Sequence, residues 1–119
     1  MQQTVYASAA RTATPATAQF SARGAAGLFI VIDVTAIAAT PSVVPTIDGY
    51  DPLSGKWFNL LTGAALTAVT AARVLRVGRG LVAAANLTAV DYVPDTVRVI
   101  MTHGDADSIT YSVSAHLFR

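Results

Sequence analysis

Residues 109–117 alternate without a break, with Ile109, Tyr111, Val113, Ala115 and Leu117 apolar and Thr110, Ser112, Ser114 and His116 polar between them. Successive strand side chains point to opposite faces, so a period of two predicts a strand with one buried face. "TVRVIMTHG" has the same pattern: Val97, Val99 and Met101 fall on one face, Arg98, Ile100 and Thr102 on the other. The "GDADS" between them, residues 104–108, supplies the Gly and Asp residues of a turn and predicts a hairpin joining the two strands. "GLFIVIDVTAI" has no polar face, because Leu28, Ile30, Ile32 and Val34 stand opposite Phe29 and Val31. A strand that is apolar on both sides belongs at the centre of a sheet, with a partner on its second face.

The remaining segments are shorter. "SVVPTIDGY" and "KWFNLL" flank "DPLSG", where Pro52 presets φ for a turn and Gly55 tolerates positive φ, which predicts a second hairpin. Pro45 has no donor for a ladder, so its strand is expected at a sheet edge or at a bulge. "TAARVLRVGRG" gives a strand over Val74 to Val77 closed by Gly78 and Gly80, and "QTVYASA" gives an edge strand. "RTATPATAQFSARGAAG" reads as a loop of small residues with a short strand near Phe20, and "GLVAAANLTAV" as an extended loop lacking charged helix formers. The expected fold is all-β: a single antiparallel β-sandwich, jelly-roll-like, of about seven or eight strands. Residues 1–27 are expected to form an N-terminal edge strand and an extended arm or loop, and residues 28–119 the sandwich core, in one domain overall.

Composition changes this picture in one respect. The 119 residues are 53% hydrophobic and 13% charged, against roughly 25% charged in ordinary soluble domains. Glu is absent and Lys56 is the single Lys, so the usual solubilising residues are missing. Either the surface is covered by a partner or the bias reflects a GC-rich coding sequence. Without Cys there is neither a disulfide framework nor a thiolate metal site. The net charge of +1 is dispersed, which argues against nucleic acid as a partner. The opening "MQQTVYASAART" lacks a cationic region followed by an apolar one, and no apolar run approaches membrane-spanning length, so a soluble chain made in the cytoplasm is expected, with no membrane partner.

Candidate chemistry is sparse. A nucleophilic set could be drawn from Ser108 or Ser112 with His116 and Asp107, but such a set can be drawn from almost any sequence. The carboxylate pairs Asp48 with Asp51, and Asp105 with Asp107, read as turn residues that bond the backbone. His103, Asp105 and Asp107 alternate and could converge on a divalent cation, yet no Glu follows to complete a calcium loop, and a surface hairpin is expected. Arg73, Arg76 and Arg79 lack the context of a phosphate loop and would be split between two faces of a strand. These readings lead to a non-enzyme without cofactor or metal. The aromatics Tyr50, Trp57, Phe58 and Tyr92 raise a different chemistry, stacking on a sugar ring from a sandwich surface. With Ile47 seeking an apolar partner, Phe58 and Leu60 are expected inside and Trp57 at the sheet margin, where it caps the core or an interface. Trp57 and Tyr50 form the candidate ligand platform under the alternative, a carbohydrate-binding module.

The pieces "VIDVTA", "DPLSGKW" and "ADSITYSV", within residues 28 to 118, resemble small virion proteins from the structural gene clusters of tailed bacteriophages, especially those of actinobacteria. None of the three is a catalytic signature. The resemblance implies a minor capsid or decoration protein, a β-sandwich bound as an oligomer to the outside of the shell, with the major capsid protein as partner and the virion surface as location; a tail or head fibre is the other position it allows. A homo-oligomer, a trimer first, suits a three-fold lattice site. Phe29 and Val31 on the second face of the central strand, and Arg11 and Arg23 in the N-terminal segment, are the candidate interface residues.

Overall fold

The computed structural model describes residues 1–119, the side chain of Ala71 excepted. Strands follow one another with no helix among the described residues: β1 (Gln2–Arg11), β2 (Ala18–Ser21), β3 (Gly27–Ile37), β4 (Val43–Asp51), β5 (Lys56–Thr62), β6 (Thr70–Gly78), β7 (Thr88–Ala89), β8 (Thr96–His103) and β9 (Ile109–Phe118). Alternation decides which way each strand faces. Leu28, Ile30, Ile32 and Val34 of β3 are buried, as are Val97, Val99 and Met101 of β8 and Ile109, Tyr111, Val113 and Ala115 of β9. Each large aliphatic side chain so buried contributes about 1.5–3 kcal/mol relative to exposure. The strands form two sheets, in the orders β1-β9-β3-β6-β7 and β2-β8-β4-β5, whose buried rows meet in one core. The protein is a β-sandwich, antiparallel except for the two rungs between β6 and β7. Pairing is nested: β1 with β9, β2 with β8, β3 with β6, β4 with β5.

Several local expectations hold. β3 is interior, bonded to β9 on one side and β6 on the other. β4 and β5 form the hairpin expected around "DPLSG": Gly55 adopts φ 70° and donates its N–H to the Asp51 carbonyl at 2.8 Å, a geometry that other residues reach only with strain. Asp51 accepts from the Leu53 N–H and the Ser54 hydroxyl, which fixes the turn.

Others are corrected. β8 and β9 do not form a hairpin; they lie in different sheets, and residues 104–108 carry the chain from one layer to the other. Two strands that each bury one face can satisfy that pattern side by side or across a core, and here they face across it. The strands number nine, because Thr88–Ala89 adds two residues to the sheet where only a loop is expected, next to the Arg76 N–H bond to the Leu87 carbonyl. β4 is an interior strand despite Pro45. The Pro45 carbonyl accepts from Gly63, so the donor that proline lacks would point to the β5 side, beyond the last rung at Thr46 and Thr62. The bulge beside it belongs to β5, where Leu60 is the extra residue between the rungs Ile47–Leu61 and Asp48–Asn59, while β4 runs along β8 without interruption, so the strand of Pro45 is neither an edge nor bulged. Residues 12–27 lie against their own sandwich: β2 pairs with β8, Phe20 packs on the core and Ala22 is buried.

Candidate functional site

The outer face of the four-stranded sheet carries two rows of side chains, set by register. Because Val43, Pro45, Ile47 and Gly49 of β4 face the core, Asp48 and Tyr50 face outward. Tyr50 pairs with Trp57 of β5, and Asp48 pairs with Asn59 on one side and Arg98 on the other, beyond which lies Gln19 of β2. One row is thus Trp57, Tyr50 and Thr96, and the next is Asn59, Asp48, Arg98 and Gln19. A shallow groove of about 360 Å³ opens over the first row, lined by Gln19, Tyr50, Trp57 and Thr96.

Geometry locks the middle of this face. The Tyr50 and Trp57 rings meet at 4.8 Å between centroids, tilted by 50°. Arg98 lies with its guanidinium 4.3 Å from the centre of the Trp57 ring and donates Nε to Asp48 Oδ2 at 3.0 Å. Asn59 Nδ2 donates to Asp48 Oδ1 at 3.3 Å. Asp48 is the buried charged residue of the molecule, so this pairing supplies the counter-charge and hydrogen bonds that a carboxylate out of water requires. Trp57 lies at the sheet margin and points outward, a direction that the sequence left to the hairpin register, and the Phe58 ring lies on the inner side across Gly49 while remaining 45% exposed. The bulge inserts one residue, so Leu61 reaches the core and Leu60 is half-buried beside it.

The other sequence candidates are scattered. Asp48 is not a turn residue but sits mid-strand, because Tyr50 and Asp51 still belong to β4. Asp105 accepts from the Asp107 N–H, and Asp107 accepts from the Thr40 N–H, both in loop roles. His116 Nε2 meets Ser114 Oγ at 3.4 Å, and no hydrogen bond joins it to Ser108, Ser112 or Asp107 among the described residues. No group of three His, Cys, Asp or Glu that could hold a metal ion occurs among the described residues. Phe29 and Val31 are half-buried on the outer face of the five-stranded sheet, where Phe29 stacks on His116 at 4.7 Å with the rings 8° from parallel. A second groove, of about 370 Å³, lies beside them between Gln2, Gln3, Thr4, Ser114 and His116. Arg23 is exposed. Arg11 is spent within its own sandwich: its guanidinium donates to the carbonyls of Ala7, Ala9 and Tyr111 and lies 4.6 Å from the centre of the Tyr111 ring.

Beneath Arg11 is a polar spot inside the core. The Tyr111 hydroxyl meets His103 Nε2 at 3.0 Å, and the single Tyr6 hydroxyl proton is shared between the carbonyls of Val99 at 3.0 Å and Ala16 at 2.9 Å. Burial pushes the Tyr111 phenol up to about 12, with Arg11 working against it. Burial pushes the His103 imidazole down. Tyr6 and Arg11 thereby stitch β1 to the rest of the sandwich.

No family model matches the chain, and a search of curated proteins finds no match to it. No helix is long and apolar enough to cross a membrane. The fold defines the class, a β-sandwich, and the most developed surface site is the Trp57 and Tyr50 face. Sequence reasoning reached its two aromatics and placed Arg98 on an outward face, but missed Asp48, Asn59, Gln19 and Thr96 as its partners. Polar positions of alternating strands were the available signal; the strand order that assembles them was not.

Proposed function

We propose that this chain is a structural virion protein, a minor capsid or decoration protein that binds the outside of a phage capsid and stabilises it through contacts with the major capsid protein. The observation that carries this reading is the apolar character of the connection between β6 and β8, where Val82, Leu87, Val90 and Tyr92 are all exposed, Val82 by 87%. Large apolar side chains left exposed along one segment of a weakly charged chain, on both sides of β7, suit a surface that becomes covered on assembly. Phe29 and Val31 offer a second, half-buried apolar strip. The nested pairing of the strands supports the jelly-roll-like form of the sandwich, and the sequence resemblance supports the virion setting. In this reading the protein is not an enzyme, needs no cofactor, contacts neither nucleic acid nor membrane, is made in the host cytoplasm and works as a homo-oligomer, a trimer first.

Purified protein mixed with capsids that lack it should co-sediment with them and raise the temperature at which they rupture. Replacing Val82 and Tyr92 by Ser together should weaken that binding while the β-sheet circular-dichroism spectrum persists. Wild-type protein that neither co-sediments with such capsids nor protects them would refute the proposal.

A further inference from the structure

We infer that the outer face of the four-stranded sheet is a binding site for a neutral pyranose saccharide, seated in the groove between Trp57 of β5 and Gln19 of β2. This goes beyond the capsid role and does not depend on it. Three features of the face point to this ligand. The first is shape and surface. Two aromatic rings, Trp57 and Tyr50, meet at 4.8 Å and are tilted by 50°, so they form an angled apolar wall rather than a flat plate, with Arg98 covering part of the Trp57 ring. The C–H face of a pyranose packs against such a wall as aromatic and aliphatic groups do in a core, while its hydroxyls stay at the rim. A volume of about 360 Å³ lies at the small end of small-molecule sites and suits a mono- or disaccharide.

The second feature is the open hydrogen-bonding capacity around the wall. The Gln19 amide, the Tyr50 and Thr96 hydroxyls and the terminal amino groups of Arg98 have no hydrogen-bond partner among the described residues, and Gln19, Tyr50 and Thr96 line the groove. Arg98 spends only Nε on Asp48. An amide and two hydroxyls both donate and accept, which matches hydroxyl groups whose roles rotate. The third feature is charge. Arg98 and Asp48 form an ion pair at 3.0 Å, so the face offers no unbalanced charge to an acidic sugar, a phosphate or a cation. The same pair, with Asn59, fixes Arg98 over the Trp57 ring and so holds the wall before any ligand arrives. The groove on the opposite sheet lacks this arrangement, since its lining of Gln2, Gln3, Thr4, Ser114 and His116 contains no pair of aromatic rings.

Trp57 is the only Trp, so its fluorescence reads the site directly. The full-length protein would be screened on an array of neutral and acidic glycans, and the neutral binders titrated as mono- and disaccharides while Trp57 emission and calorimetric heat are followed. A saturable change in emission is expected with neutral pyranosides and none with acidic ones. Tyr50→Ala should weaken binding about tenfold, the scale of a lost aromatic contact. Gln19→Ala should weaken it severalfold, and His116→Ala on the opposite face should leave it unchanged. Circular dichroism and melting confirm that each variant is folded, and Tyr50→Ala should still bind capsids, which separates this site from the capsid role. The inference is overturned if no neutral saccharide alters emission at millimolar concentration, if only acidic glycans bind, or if folded Tyr50→Ala and Gln19→Ala both bind as well as the wild type.

Discussion

Replacing Arg98 by Met keeps much of the aliphatic stem and removes the charge that Asp48 faces. In the folded protein the Asp48 side chain is 12% exposed and that of Arg98 is 23% exposed, so the pair lies between a solvated surface bridge and a buried one. Surface pairs contribute about 0–1 kcal/mol, whereas stripping one partner from a buried pair costs about 3–5 kcal/mol, because a carboxylate is left out of water without compensation. Asp48 keeps its bond from Asn59, which places the cost toward the lower figure. Loss of the guanidinium from the Trp57 ring adds about 0.5–1 kcal/mol. The expected destabilisation is therefore about 2–4 kcal/mol. Urea unfolding followed by Trp57 fluorescence and by circular dichroism would measure it, and with a slope of about 2 kcal/mol/M the midpoint should fall by roughly 1–2 M. Adding Asp48→Asn to Arg98→Met removes the stranded charge and should recover at least about 1 kcal/mol, so the double variant is more stable than Arg98→Met alone. A loss below about 1 kcal/mol in Arg98→Met, or a double variant no better than the single, would refute the claim that this pair is buried enough to matter.

Three further outcomes are expected. Gly49→Ala would set a Cβ 2.6 Å from Pro94 Cγ and 2.7 Å from Phe58 Cζ, and overpacking should cost about 1–3 kcal/mol, partly relieved by adding Phe58→Leu; an unchanged melting temperature would be the contrary result. Stability should fall at both ends of the pH range. His103 binds its proton less readily folded than unfolded, so its contribution is full above its ordinary 6.5 and declines as pH drops through the window below it; Tyr111, pushed to about 12, contributes fully below 10 and loses this as pH rises from 10 through about 12. Melting temperature measured from pH 5 to 12 checks both limbs, and a flat profile would contradict them. Sedimentation at micromolar concentration should give an oligomer, and Phe29→Thr with Val31→Thr should weaken it without loss of sheet signal; a wild-type monomer would exclude the oligomer.

Alternation along single strands was enough, from sequence alone, to give the all-β class, the buried row of β9 and the interior position of β3, whereas the direction of Trp57 waited on the register of its hairpin. The "DPLSG" hairpin was equally legible, because Pro52, Gly55 and the Asp51 side chain act within five residues of one another. These are short-range effects: sterics, φ preferences and the two-residue repeat need no knowledge of the rest of the chain. Partner choice was not legible. The repeat tells β8 and β9 which face to bury and not which neighbour to take, so they could be read as a hairpin when they belong to opposite sheets. Pro45 in an interior strand was possible because β5 ends just where the missing donor would have been needed. The candidate site depends on the same decision. Asp48 meets Arg98, 50 residues further along the chain, only because the ladder of β4 with β8 sets them side by side, and Gln19 joins them only through β2 on the far edge. Residue types fixed what each strand could offer to solvent, and tertiary pairing alone decided which of those offers stand together.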